Sequence, residues 1–103
     1  TDLAGAILEI IKNKEFEGIG QATQIHHYSN EGKVSWYEFT KEIFKIAKTN
    51  CKVNPITTQQ YPTPAKRPKN TLMNKNKIIE KFGVKNANWK EPLNTCITTL
   101  KEQ

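Results

Sequence analysis

Apolar residues recur at helical spacing in four separate stretches of this chain. In "TDLAGAILEIIKN", Leu3, Ala6, Ile7, Ile10 and Ile11 fall three and four residues apart, on one face of a helix that Thr1 or Asp2 is placed to cap. The pattern is clearest in "SWYEFTKEIFKIAKTN", where Trp36, Phe39, Ile43, Phe44, Ile46 and Ala47 form the stripe. Ser35 with Glu38 three residues on is a capping box, and Asn50 suits the C-terminal turn. "LMNKNKIIEKFG" predicts a shorter helix, with Asn74 as cap, Ile78, Ile79 and Phe82 inward and Gly83 as the stop. A last helix from about Asn88 turns Trp89, Leu93, Cys96, Ile97 and Leu100 inward. Pro92 falls in its first turn, where amides have no intrahelical partner to lose.

Between the helices the pattern changes. "QIHHYS" alternates loosely with a β-branched and aromatic bias and predicts a short strand closed by the turn "NEG". "CKVNPIT" predicts another, with Val53 and Ile56 as its apolar members and Pro55 pointing to an edge position. "EFEGIGQATQ" holds two glycines and no period, and reads as a loop. The expected fold is therefore α/β: about four helices with two or three short strands, in a single domain over residues 1–103. Its expected core is Trp36, Phe39, Ile43, Phe44, Ile78, Phe82, Trp89, Leu93 and Ile97. A helix that starts at the first residue, with no strand before it, predicts a piece cut from a longer protein.

Composition narrows the classes. A hydrophobic fraction of 36% and a mean hydropathy of −0.70 are low, but nine aromatic residues spread along the chain argue against disorder. Cys51 and Cys96 fit no metal or redox spacing, so reduced thiols of a cytoplasmic protein are expected rather than a disulfide. With no charged-then-apolar leader and no apolar run near the ~20 residues of a membrane helix, neither secretion nor a membrane is expected.

The net charge of +6 is unevenly placed. Residues 62–90 carry Lys66, Arg67, Lys69, Lys75, Lys77, Lys81, Lys85 and Lys90 against Glu80 alone. That surplus fits an anionic partner such as a phosphate, a nucleotide or nucleic acid; a solvated lysine face is the plainer alternative.

Most catalytic chemistry has no matching motif. There is no GxGxxG, no Walker A pattern, no nucleophile elbow and no paired carboxylates beyond helix caps and faces. His26 and His27 would point to opposite faces of a strand, one buried and hydrogen-bonded, the other exposed. Trp36 and Tyr37 read as a core anchor with a partly exposed neighbour rather than as a ligand platform. The segment "QQYPTPAKRP" stands apart. Pro62, Pro64 and Pro68 keep it out of helices and central strands and hold it extended at low entropic cost. Arg67 within it has the planar fork that grips a phosphate bidentately, Lys66 is a weaker point charge, and Tyr61 adds a hydroxyl or a stacking face.

Taken together, "DLAGAI", "IHHYSNEGKVSWYEFTKEIF", "V.PI.T..YPTPAKRPKNTLMNKNKI" and "FGVKNANWKEPLNTCI" resemble the C-terminal part of the dTDP-4-dehydrorhamnose reductases, members of the extended short-chain dehydrogenase/reductase family. The resemblance covers nearly the whole chain. It implies a small substrate-binding lobe that would complete an enzyme reducing dTDP-4-dehydro-L-rhamnose to dTDP-L-rhamnose. It also implies a dTDP-sugar substrate, contacted by Arg67, Lys66 and Tyr61, and a fused N-terminal Rossmann domain as partner. That domain would hold the NADPH or NADH, with Mg2+ as a further candidate, and the catalytic tyrosine and lysine. This chain is then expected to hold no catalytic, cofactor or metal residue. Tyr37 and Lys41 have the catalytic spacing but lie within the capped amphipathic helix, so the match reads as coincidence. Self-association through the exposed interdomain surface is expected, and binding of nucleic acid is not. The alternatives are the corresponding lobe of another nucleotide-sugar epimerase or reductase, and, further off, a small basic nucleic-acid-binding module.

Overall fold

The computed structural model describes residues 1–13 and 22–103. Four α-helices follow in order: α1 (Asp2–Lys12), α2 (Trp36–Ala47), α3 (Asn76–Phe82) and α4 (Lys90–Lys101), with a 3-10 turn at Thr58–Gln60. The helices fall where the periodicity puts them. The strands do not form: among the described residues the only β pairing is one isolated parallel bridge, Glu31 with Asn88. The α/β expectation is corrected to a helical one. A strand needs a neighbour that takes its amides and carbonyls. In "QIHHYS" and the residue after it, lysine side chains take carbonyls instead, Lys77 Nζ donating to Ile25 O at 3.0 Å and Lys75 Nζ to Asn30 O at 3.3 Å. In "CKVNPIT", Ile56 is exposed and Pro55 has no donor, so no half-buried pleated surface exists for β-branched residues to pack against. Most of the "EFEGIGQATQ" loop lies outside the described residues.

The chain forms two compact units. The first comprises residues 1–31 and 72–89. Its core is Ala6, Ile78 and Val84, with Ile10, Tyr28, Ile79 and Phe82 packed around it. The small Ala6 lets α1 come close, and Gly83 ends α3 in the left-handed region (φ 63°), its N–H donating to Ile79 O. Leu3, Ile7, Leu8 and Ile11 are exposed, as expected of an apolar face left for interdomain contact. A helix of seven residues, about 10 Å long, can cover little more than one turn of its neighbour. Half-buried His26 sets its ring edge-on to Phe82, centroids 5.3 Å apart, while His27 is exposed. The expected hydrogen bond is missing among the described residues, where His26 Nδ1 is buried without a partner. Burial, then the ammonium charges of Lys77 and Lys81, lower the His26 pKa below its ordinary value.

The second unit comprises residues 32–71 and 90–103 and is built on α2 packed against α4. Ile97 is buried there, with Phe39, Ile43, Phe44, Ile46 and Leu93 half-buried. The capping box is complete: Glu38 N–H donates to Ser35 Oγ at 3.2 Å, and Ser35 N–H to Glu38 Oε2 at 3.0 Å. These bonds hold the Glu38 carboxyl below its ordinary pKa. The helix ends at Lys48, in the left-handed region (φ 55°), two residues before the expected Asn50. Helix α4 accommodates a threonine-rich sequence because Thr95, Thr98 and Thr99 donate their hydroxyls to carbonyls four residues back. Lys101 Nζ donates to Ile46 O at 3.3 Å, tying the end of α4 to that of α2. Trp36, expected in the core, is 84% exposed. At the first helical position its Cβ tilts back past the end of the helix, and Phe39 meets its ring edge-on, centroids 6.1 Å apart. Cys51 and Cys96 are free and exposed. Among the described residues no helix is long and apolar enough to cross a membrane.

Ile78 is 3% exposed, so Ile78→Ala should destabilise the first unit by about 2–5 kcal/mol. Leu100→Ala, at a 63% exposed position, should change the urea midpoint little. A second expectation concerns pH. His26 has a lowered pKa in the folded state, so the unfolded chain takes up its proton first as pH falls below about 6.5. The stability present above that pH is lost as pH drops through the folded value. Thermal midpoints measured from pH 7 to 5 should therefore fall more steeply for the wild type than for His26→Phe.

Candidate functional site

The proline-rich segment is exposed at every residue from Asn54 to Asn74. Local hydrogen bonds order its first part. Thr57 and Gln60 make a capping box around the 3-10 turn, with Thr57 N–H donating to Gln60 Oε1 at 2.7 Å. Tyr61 N–H then donates to Thr58 O at 3.2 Å, and Thr63 Oγ1 to Ala65 O at 3.0 Å. Between these bonds and the three prolines the backbone has few alternatives.

Tyr61, Lys66 and Arg67 lie on this segment. Tyr61 is 69% exposed and both cations face solvent. Among the described residues no hydrogen bond, ion pair or ring contact joins the three to one another. They are neighbours along one stiff stretch of backbone. Among the described residues the guanidinium fork has no partner, which is the condition for gripping an anion from solution.

The rest of the basic surplus divides. Lys75 is no surface charge: it is 5% exposed, and its Nζ lies 3.3 Å from Glu31 Oε1 and donates to Asn30 O at 3.3 Å. Glu31 Oε1 also accepts from Asn86 Nδ2 at 2.7 Å, and Asn30 Nδ2 donates to Asp2 Oδ2 at 2.8 Å. The Glu31 backbone is fixed as well, its N–H donating to Ala87 O and its carbonyl accepting from Trp89 N–H, each at 2.9 Å. Sequence reasoning missed this cluster, because a lysine in a basic run carries no mark of burial. Lys77 is likewise engaged, at Ile25 O.

Two further places bring ionisable or aromatic side chains together. Lys41 Nζ sits 5.2 Å from the centroid of the Tyr37 ring, a cation–π contact along one helix face, with the ammonium over the ring. In the first unit a cleft of about 540 Å³ is lined by Asp2, Glu9, Tyr28, Val84 and Lys85 among others. Among the described residues the Tyr28 hydroxyl is buried without a partner, and burial followed by the nearby Asp2 carboxylate raises its pKa. Among the described residues no three His, Cys, Asp or Glu side chains come together as a metal site.

With this geometry in hand, comparison with known proteins is decisive. The sequence pattern of the RmlD substrate binding domain matches residues 1–102. The chain belongs to that family. One match takes in both compact units and the exposed segment between them. A dTDP-4-dehydrorhamnose reductase of Sinorhizobium fredii (strain NBRC 101917 / NGR234) is 30% identical over 103 residues, covering 96% of this chain and 35% of that protein. A dTDP-4-dehydrorhamnose reductase of Aggregatibacter actinomycetemcomitans is 36% identical over 98 residues, covering 89% of this chain and 33% of the relative. The spore coat polysaccharide biosynthesis protein SpsK of Bacillus subtilis (strain 168) is 28% identical over 92 residues, covering 89% and 29%. The domain thus spans about one third of the length of the curated relatives it matches.

Proposed function

We propose that this RmlD-type domain is the nucleotide-sugar-binding part of a cytoplasmic dTDP-4-dehydrorhamnose reductase. The intact enzyme would reduce the 4-keto group of dTDP-4-dehydro-L-rhamnose to give dTDP-L-rhamnose for cell-surface polysaccharide synthesis. The observation that carries this reading is the match along residues 1–102 to a substrate binding domain, supported by relatives that bear the reductase name. Residues 1–103 act as one substrate-binding domain, and a fused nucleotide-binding domain supplies hydride from NADPH or NADH, with Mg2+ where it is used. The side chains here do not fit those groups. The sequence contains no GxGxxG turn to cradle a pyrophosphate, and the described residues bring together no metal-ligand set. No chemical step is therefore routed through this domain, and its part is binding.

Arg67 is the residue assigned to the substrate diphosphate, with Lys66 as a point charge beside it and Tyr61 as a hydroxyl or stacking face. The support is physical: an exposed, uncommitted guanidinium on a proline-stiffened backbone loses little freedom on binding an anion. The apolar stripe of Leu3, Ile7, Leu8 and Ile11 is the surface assigned to contact with the fused domain, and to self-association when that domain is missing.

Two outcomes are expected. In the intact reductase Arg67→Lys should not be conservative, because an ammonium cannot reproduce a forked contact. Losing one charge-assisted pair, roughly 1.5–3 kcal/mol, should raise KM for the dTDP-sugar at least tenfold and leave KM for NADPH unchanged. An unchanged KM for the sugar nucleotide would return the segment to the role of a connector. The purified 103-residue domain, mixed with NADPH and dTDP-4-dehydro-L-rhamnose, should consume NADPH no faster than buffer. Turnover above that rate would mean that catalytic groups lie within this chain.

A further inference from the structure

Helix α2 carries a full apolar stripe, yet none of its twelve residues is buried. Phe39, Ile43, Phe44, Ile46 and Ala47 are half-buried, and Trp36 at the head of the stripe is 84% exposed. A tryptophan left in water forgoes one of the largest apolar contributions a side chain can make. Yet Trp36 is not a loose end. The Ser35–Glu38 capping box closes around it, its carbonyl accepts from Thr40 Oγ1 at 2.8 Å, and Phe39 meets its ring edge-on. A ring held in this way loses little freedom when something packs on it. The nearest exposed residues along the chain, Lys33, Ser35, Glu38 and Lys41, are polar or charged. One large aromatic anchor within a polar rim is the anatomy of an interface hot spot.

Two observations bear on what packs there. The family match takes in α2, and this chain covers only 35% and 33% of two reductases that share the pattern, so about two thirds of their length lies outside it. The second unit also carries the whole net charge: ten lysines and arginines stand there against four carboxylates, while the first unit has six of each. A complementary surface is apolar where it meets the ring and acidic around it. We propose that Trp36 is a docking anchor of the second unit, seated in the intact reductase in an apolar recess, rimmed by carboxylates, on the fused domain. A permanent neighbour keeps the ring out of water at every stage of turnover, which a ligand that comes and goes does not. The inference rests on the reading of this chain as part of a longer reductase. It adds a docking surface on the unit that does not contain α1.

Hydroxyl-radical footprinting read by mass spectrometry tests the residue directly, with rates normalised to the urea-unfolded protein. Without nucleotide, Trp36 should oxidise at least fivefold more slowly in the intact reductase than in the 103-residue chain, and dilution should not change this. Equal rates overturn the proposal. Protection that appears only on adding dTDP would make Trp36 a nucleotide contact, and protection that fades on dilution would make it a contact between copies; either result overturns the docking. A variant gives a second readout. Trp36→Ser should leave the urea midpoint of the 103-residue chain unchanged, because the ring is already exposed there. The same change should lower the Tm of the intact reductase and speed limited proteolysis between its domains. A shifted midpoint in the short chain, or an unaltered Tm and proteolysis in the intact enzyme, overturns the proposal. The footprint needs only the wild type, so it decides the matter even where the variant does not fold. Failure of the underlying reading looks different: the native polypeptide would then run no further than these 103 residues, whatever the footprint of Trp36.

Discussion

The lysine ammonium of residue 75 is the constraint on which the first unit depends. Withdrawing it from water costs several kcal/mol unless its protons are met, and the acceptors available are the Asn30 carbonyl and the Glu31 carboxylate. Meeting them draws the irregular segment before the turn onto α3. It brings Asn30 to Asp2 at the start of α1 and holds Glu31 between Ala87 and Trp89. Among the described residues the core has three buried side chains, one of them an alanine, too few to specify this arrangement by apolar packing alone. Polar geometry does what a larger core would do elsewhere.

The second unit is organised on another principle. Its two long helices carry their own ends: a complete capping box opens α2, a left-handed lysine closes it, and threonine hydroxyls line the exposed carbonyls of α4. With the helices so defined locally, a modest apolar seam through Ile97 and Leu93 suffices to pair them.

What was legible in the sequence was local. Ser35 with Glu38, Gly83 after Phe82 and the 3.6-residue periodicities each act within a few residues, so they announced four helices and two of their ends correctly. The strands failed because alternation states only that a segment could lie in a sheet, and no partner edge exists for Gln24–Ser29 or Cys51–Thr57 among the described residues. Trp36 failed for a related reason: its place in the stripe was right, but the first turn of a helix projects beyond what packs on its middle. Lys75 was hidden altogether, because its burial is decided by residues more than forty positions away. Of the candidate site, the stiffness and charge of "TPAKRP" were readable from composition, and its place in an exposed run of twenty-one residues was not.

The uninterrupted exposure of residues 54–74 has a consequence for how such domains diverge. Where no side chain is packed, a substitution disturbs no core. Lengthening a flexible connection is also cheap, each doubling costing only about 0.6 kcal/mol in closure entropy. Beyond the prolines and the residues whose side chains make hydrogen bonds there, the fold therefore asks little of this stretch. Other residues that persist there across descendants are kept by what they meet in solution, so they should record changes of ligand sooner than the helices of the domain.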